Sequence, residues 1–146
     1  MSLITDKVFY NALKASTDIM ALTDGRIYNT AIPEPDEELE NEPLPYIIIT
    51  FDGMTNDDMT KDNGYEGETD RVQIGVLCVA ESREELGPLT QAVRNQIEEY
   101  FSNISASDED YALVPDDYQL SATPVMYDPL MPCYHVQLQY NCDTTP

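Results

Sequence analysis

Cys133 and His135 stand two positions apart in the run Cys133-Tyr134-His135-Val136-Gln137-Leu138-Gln139-Tyr140-Asn141-Cys142, which alternates almost without fault between apolar and polar residues. Such alternation marks a half-buried strand and puts both side chains on one face of it, within reach of a hydrogen bond. A thiol beside an imidazole is the raw material of nucleophilic catalysis, because the imidazole can take the proton that leaves a thiolate. Neither residue, however, lies in a glycine-rich turn or at a helix start that would supply oxyanion donors. The expectation is that His135 is an exposed polar residue on a sheet face.

Metal and phosphate chemistry fare no better. Cys133, His135 and Cys142 lack the paired CxxC or HxxxH spacing of a zinc site. The acid-rich segment 52–70 invites a calcium-loop test, but with Gly64 at the sixth position Met59 falls first, Lys61 third and Asp70 last, where Asp, Asp or Asn, and Glu are needed. Gly64-Tyr65-Glu66-Gly67 is flanked by acids that would repel a phosphate. No catalytic, cofactor-binding or metal-ligating residue is assigned, no cofactor is called for, and an enzyme is the less favoured class.

Charge is the stronger signal. Among 146 residues, 7 Lys and Arg face 28 Asp and Glu, for a formal charge of −21. Binding to nucleic-acid phosphates is nearly excluded, since that affinity comes from Lys and Arg displacing counterions, and anionic membrane surfaces are disfavoured for the same reason. The acid either keeps the protein in solution or makes a surface that DNA passes without sticking, or one that imitates DNA. No apolar run approaches the ~20 residues of a membrane span, and Met1-Ser2-Leu3-Ile4-Thr5-Asp6 is unlike a signal peptide, so the expected compartment is the cytosol. In that reducing setting Cys78, Cys133 and Cys142 are expected as buried free thiols.

The elements that would carry these residues follow from periodicity. Ile4, Val8, Ala12, Ala15 and Ile19 repeat at helical spacing over residues 3–22, and Asp24-Gly25 ends that helix. Pro45 to Phe51 reads as a strand apolar on both faces, and Arg71 to Val79 as a half-buried strand. Ser82-Arg83-Glu84-Glu85 has capping-box spacing before a stripe of Leu86, Leu89, Val93, Ile97, Tyr100 and Phe101. Tyr118–Tyr127 and the Cys133–Cys142 run pair as an antiparallel hairpin about Asp128-Pro129. The expectation is a single α+β domain over residues 1–146, with two helices on one face of a mainly antiparallel sheet of about four to five strands, and acidic loops at 33–43, 52–70 and 102–117. Leu77, Val79 and either Ile48 or the Ile47/Ile49 pair leave the other face partly apolar, with part of it to be buried between subunits.

The turn Asp24-Gly25-Arg26-Ile27-Tyr28, the strand start Leu44-Pro45-Tyr46, the strand and helix from Arg71 to Ile97 and the closing strand pair together resemble the small tail-completion proteins of long-tailed bacteriophages and prophages. That resemblance covers most of the chain in order. It implies a structural, non-enzymatic subunit that forms a homo-oligomeric ring, commonly a hexamer, at the head-proximal end of the tail. Its implied partners are the tail-tube protein and the head-connector protein. DNA would pass through the ring without being bound, and no membrane is involved. The implied location is the virion at the head–tail junction, after assembly in the host cytoplasm. The alternative is an acidic DNA mimic or inhibitor that occupies the basic cleft of a nucleic-acid-binding protein.

Overall fold

The apolar period of the N-terminal segment runs unbroken, yet the chain forms two helices there, α1 (Thr5–Lys14) and α2 (Thr17–Thr23). The break lies at Ser16, whose backbone is extended (φ −83°, ψ 120°) and whose hydroxyl accepts a hydrogen bond from the Ile19 amide at 3.2 Å. A Ser followed by Thr and Asp is a start signal placed in mid-stripe, because short polar side chains satisfy the amides a new helix leaves open. Ser16→Ala is expected to lower stability by about 1 kcal/mol, read as a small fall in the urea midpoint. A change indistinguishable from zero would mean that the cap contributes nothing. α2 ends as expected, with Asp24 (φ 52°) and Gly25 (φ 79°) in the left-handed region and the cap amide bonded to Met20 O.

The computed structural model describes residues 5–30, 43–56, 70–103 and 113–144. After the two helices come β1 (Ile27–Asn29), β2 (Tyr46–Asn56), β3 (Asp70–Ala80), α3 (Arg83–Asn103), β4 (Leu113–Ala122), β5 (Met126–Asp128) and β6 (Cys133–Thr144). The strands form one sheet in the order β1-β2-β3-β6-β4, and β5 also pairs with β6. The class is α+β, but three helices replace the two expected and six strands the four or five. The sheet is mixed: β1 runs parallel to β2, with Ile27 opposite Ile47, while the other pairs are antiparallel. Two segments expected to be loop at their ends are strand there, since β2 continues to Asn56 and β4 begins at Leu113. The remainder of the acidic stretches at 33–43, 52–70 and 102–117 lies mainly outside the described residues.

Arg26 explains why the turn at 24–28 and the strand start at 44–46 go together. Its guanidinium donates to Pro45 O (Nε, 3.1 Å) and Leu44 O (Nη2, 3.2 Å), and its own carbonyl accepts from the Ile47 amide. One side chain thus locks the exit of α2 to the start of β2, fixing the parallel register of β1.

α3 begins as its capping spacing requires, with Ser82 Oγ accepting from the Glu85 amide at 3.2 Å. Its Leu86, Leu89, Val93, Ile97 and Phe101 are buried against the sheet, alongside Val8, Phe9, Ala12 and Leu13 of α1. From the sheet, Ile47, Ile49, Val72, Ile74, Val76, Val136, Leu138 and Tyr140 meet them. Phe9 stands at the centre, with its ring 6.1 Å from that of Phe101 and 5.2 Å from that of Tyr140. Phe101 and Tyr140 in turn both contact Tyr118 of β4, at 4.5 and 5.7 Å.

Candidate assembly face

The helices cover one face of the sheet, and the register across the strands sorts the other face into rows. The first row reads Tyr46, Val79, His135 and Met126; the second Tyr28, Ile48, Leu77 and Gln137. The third is Thr50, Gly75, Gln139 and Ser121; the fourth Gly53, Gln73, Asn141 and Gln119. Thr55, Arg71 and Asp143 make the fifth. Because side chains alternate along a strand, these rows share one face, and they grade from apolar through amide and hydroxyl to charged.

At the apolar end Tyr46, Val79 and Cys133 are buried, with Tyr28, Leu44, Ile48, Leu77 and Met131 packed about them. A cleft of ≈ 410 Å³ opens between this cluster and β5, lined among others by Tyr46, Leu77, Met126, Cys133 and His135. Beyond it the β5 strand and the turn to β6 carry the largest exposed apolar side chains of the described residues: Met126 at 54%, Tyr127 at 52% and Leu130 at 91%. Asp128 braces that turn by accepting from the Leu130 amide at 2.9 Å, which holds the leucine outward. Exposed apolar side chains grouped in this way mark a surface that meets another protein.

The middle of the face is a polar cluster built over a glycine. Asp52 sits where the β2–β3 register shifts, and its carboxylate accepts from Thr50 Oγ1 at 2.7 Å and from the amides of Gln137 and Gln139 at 3.1 Å each. A Cβ on Gly75 would lie 2.4 Å from Gln137 Nε2 and 2.5 Å from Asp52 Oδ2, so the cluster closes over the strand where there is no side chain, and one placed there would push these flexible ends aside. Placing Asp52 in a loop, as its acid-rich neighbours imply, misses the bulge that keeps it in the sheet. Arg71 and Asp143 close the far end as a two-pronged pair, 2.9 and 3.2 Å, in an exposed position where such a pair adds little to stability.

Cys133 and His135 share this face, as strand alternation requires, and both line the cleft. The histidine is half-buried, not exposed. No hydrogen bond joins the two among the described residues. Burial and then the Asp128 carboxylate push the Cys133 thiol above the ordinary range, which opposes the thiolate a nucleophile needs. All three cysteines are free and buried, and desolvation pushes the Cys78 thiol up to about 12. A thiol reagent such as DTNB at pH 8 is therefore expected to find no reactive cysteine in the folded protein and three in denaturant. Prompt reaction of one thiol in the native state would overturn this placement. Between pH 9, where an unfolded thiol loses its proton, and about 12, Cys78 stays neutral in the folded chain. The unfolded state then binds fewer protons, so Cys78 makes stability fall as pH rises through that window, by roughly 1.4 kcal/mol per pH unit. Among the described residues no group of three His, Cys, Asp or Glu is arranged to hold a metal ion.

Residues 7–142 match the protein family described as "Tail completion protein gp17". Among solved structures, a chain described as "Virion of native gene transfer agent (GTA) particle" aligns with a TM-score of 0.57 at 13% identity, over 94% of this chain and 92% of that one. At that identity the likeness is one of fold. No curated protein matches the chain.

Proposed function

Because the chain belongs to the tail completion protein gp17 family, whose role is structural and lies in the phage tail, we propose that it closes into a homo-oligomeric ring at the head-proximal end of the tail. In this reading each subunit is one domain, about six copies make the ring, and the ring joins the tail-tube protein to the head connector. The observation that carries it is the graded, helix-free sheet face. In a chain of charge −21, the strip formed by Tyr28, Ile48, Leu77, Met126 and Leu130 is broken only by the carboxylate of Asp128, which accepts from the Leu130 amide. Copies of so acidic a protein repel one another over most of their surface, so a strip this poor in charge is where contact costs little.

The same charge suits a DNA conduit. Duplex DNA carries about one negative charge per 1.7 Å of axis, and a wall in which acids far outnumber bases lets it slide. The acid-bearing end of the β2–β3 pair is turned toward that channel. Light scattering on the purified protein, alone and with its tail-tube protein, tests the ring. A closed oligomer of several 16.5 kDa subunits is expected in at least one condition. A molecule that stays monomeric in both sinks the ring, and capture of a basic nuclease by that monomer would favour the DNA-mimic reading.

A further inference from the structure

A second groove lies on the helix side, between α3 and the β4 edge of the sheet, with a volume of ≈ 470 Å³. Its walls are apolar, drawn from Leu86 on the helix, Leu120 and Ala122 on β4, Val125, and Leu138 on β6. Arg83 and Arg94 also line it, and both are exposed. Eleven residues apart on one helix, they stand about 16 Å from each other along its axis. Neither has an ion-pair partner among the described residues, whereas Arg26 is bonded to backbone carbonyls, Arg71 to Asp143, and Lys14 to Tyr10. Two cations with no ion-pair partner among the described residues, on an apolar groove, are unusual in a protein with four acids to every base.

We propose that this groove receives the acidic segment 31–42 of a neighbouring copy, which makes it one half of the contact between adjacent subunits. The inference rests on the ring reading above and specifies its interface. Charge selects the occupant. The segment carries Glu34, Asp36, Glu37, Glu38, Glu40 and Glu42 about a single large apolar residue in its acidic part, Leu39, which complements two arginines over an apolar floor.

Geometry assigns that segment to a neighbour. It leaves the sheet after β1 and returns at β2, at the opposite edge from β4. Four strand spacings separate β1 from β4 and three separate β2 from it, about 19 and 14 Å, so the path out and back takes roughly 34 Å. Fully extended, the residues between Thr30 and Pro43 span at most about 45 Å. What remains is shorter than the ~16 Å groove, so a chain cannot fill its own. A contact joining the β1 side of one copy to the β4 side of the next is head-to-tail, the kind that closes rings.

The probe is a fluorescent peptide of residues 31–43, titrated against full-length protein carrying Glu34→Gln, Asp36→Asn, Glu37→Gln, Glu38→Gln, Glu40→Gln and Glu42→Gln, whose grooves are then free. Saturable binding that weakens with salt is expected, at least tenfold weaker when Arg83→Glu and Arg94→Glu are added. Both arginines are exposed, so circular dichroism of the variant is expected to match the parent. No binding, or equal binding to both, overturns the proposal.

Mixing the arginine variant with the acid-neutralised variant gives a second readout. Only one competent contact is left per pair, so dimers that grow no further are expected where the wild type forms rings. Rings formed by the arginine variant alone would defeat this interface and leave the ring reading standing. A peptide that docks on a wild type never found as a ring would uphold the groove and defeat the ring.

Discussion

Phe9→Ala is expected to destabilise the protein by about 3–5 kcal/mol, the range for deleting a buried aromatic ring. Small domains hold roughly 5–15 kcal/mol in all, so a large part of the fold's margin goes with one side chain. The reason is position: Phe9 is 1% exposed and touches both Phe101 of α3 and Tyr140 of β6, so it seals the junction of two helices with the sheet. Neighbouring groups are themselves fully packed and cannot collapse into the space. With no tryptophan and ten tyrosines, the chain offers tyrosine fluorescence as the readout in a urea titration. At a typical slope of 1–3 kcal/mol per molar urea, the midpoint falls by roughly 2 M. A loss below about 1 kcal/mol would mean that Phe9 is not where three elements meet.

Leu130→Glu is expected to do the reverse, leaving stability within about 0.5 kcal/mol and weakening assembly at least tenfold. At 91% exposure the leucine has almost no contact within its own chain to lose. If it is an anchor in the subunit or tube contact, a carboxylate there must be desolvated beside other apolar groups, and truncation of such anchors alone is worth 2 kcal/mol or more. Light scattering with and without the tail-tube protein reads the assembly, and a urea titration reads the fold. Unchanged assembly would remove the β5 turn from the proposed contact surface. Tyr127 is a poorer choice of site because its ring lies 4.8 Å from that of Tyr134 and supports the monomer as well.

The elements that were legible from residue order share one property: local signals and the apolar period agree. α3 has its Ser82 cap and its stripe, and β6 has an alternation that places Val136, Leu138, Tyr140 and Cys142 inward as expected. Where two local signals conflict, the period alone misleads. The stripe through Ala12, Ala15 and Ile19 argues for one helix, and the cap at Ser16 divides it. Leu113–Asp117 reads as acidic connection because Pro115 and two aspartates disfavour a strand, yet β4 begins at Leu113.

Long-range pairing was not legible. Nothing near Ile27 announces a parallel partner twenty residues on, and Asp52 lies among loop-like acids until Gln137 and Gln139 reach it from a strand about 85 residues away. Leu77 and Val79 were visible as needing cover, with Ile48 or the Ile47/Ile49 pair beside them; the structure puts Ile48 there, and Leu44 and Met131 supply part of the cover from within the chain.

The place of β6 in the sheet sets a clock on biosynthesis. It lies between β3 on one side and β4 with β5 on the other, yet it follows both in the chain. Until it leaves the ribosome, β3 lacks one of its two partners, and β4 and β5 have none within the described sheet. Nascent subunits therefore cannot display the finished face, because three of its five rows take a β6 residue lying between residues placed earlier. High contact order of this kind puts folding in the millisecond-to-second range and after translation, so only completed copies are competent to polymerise.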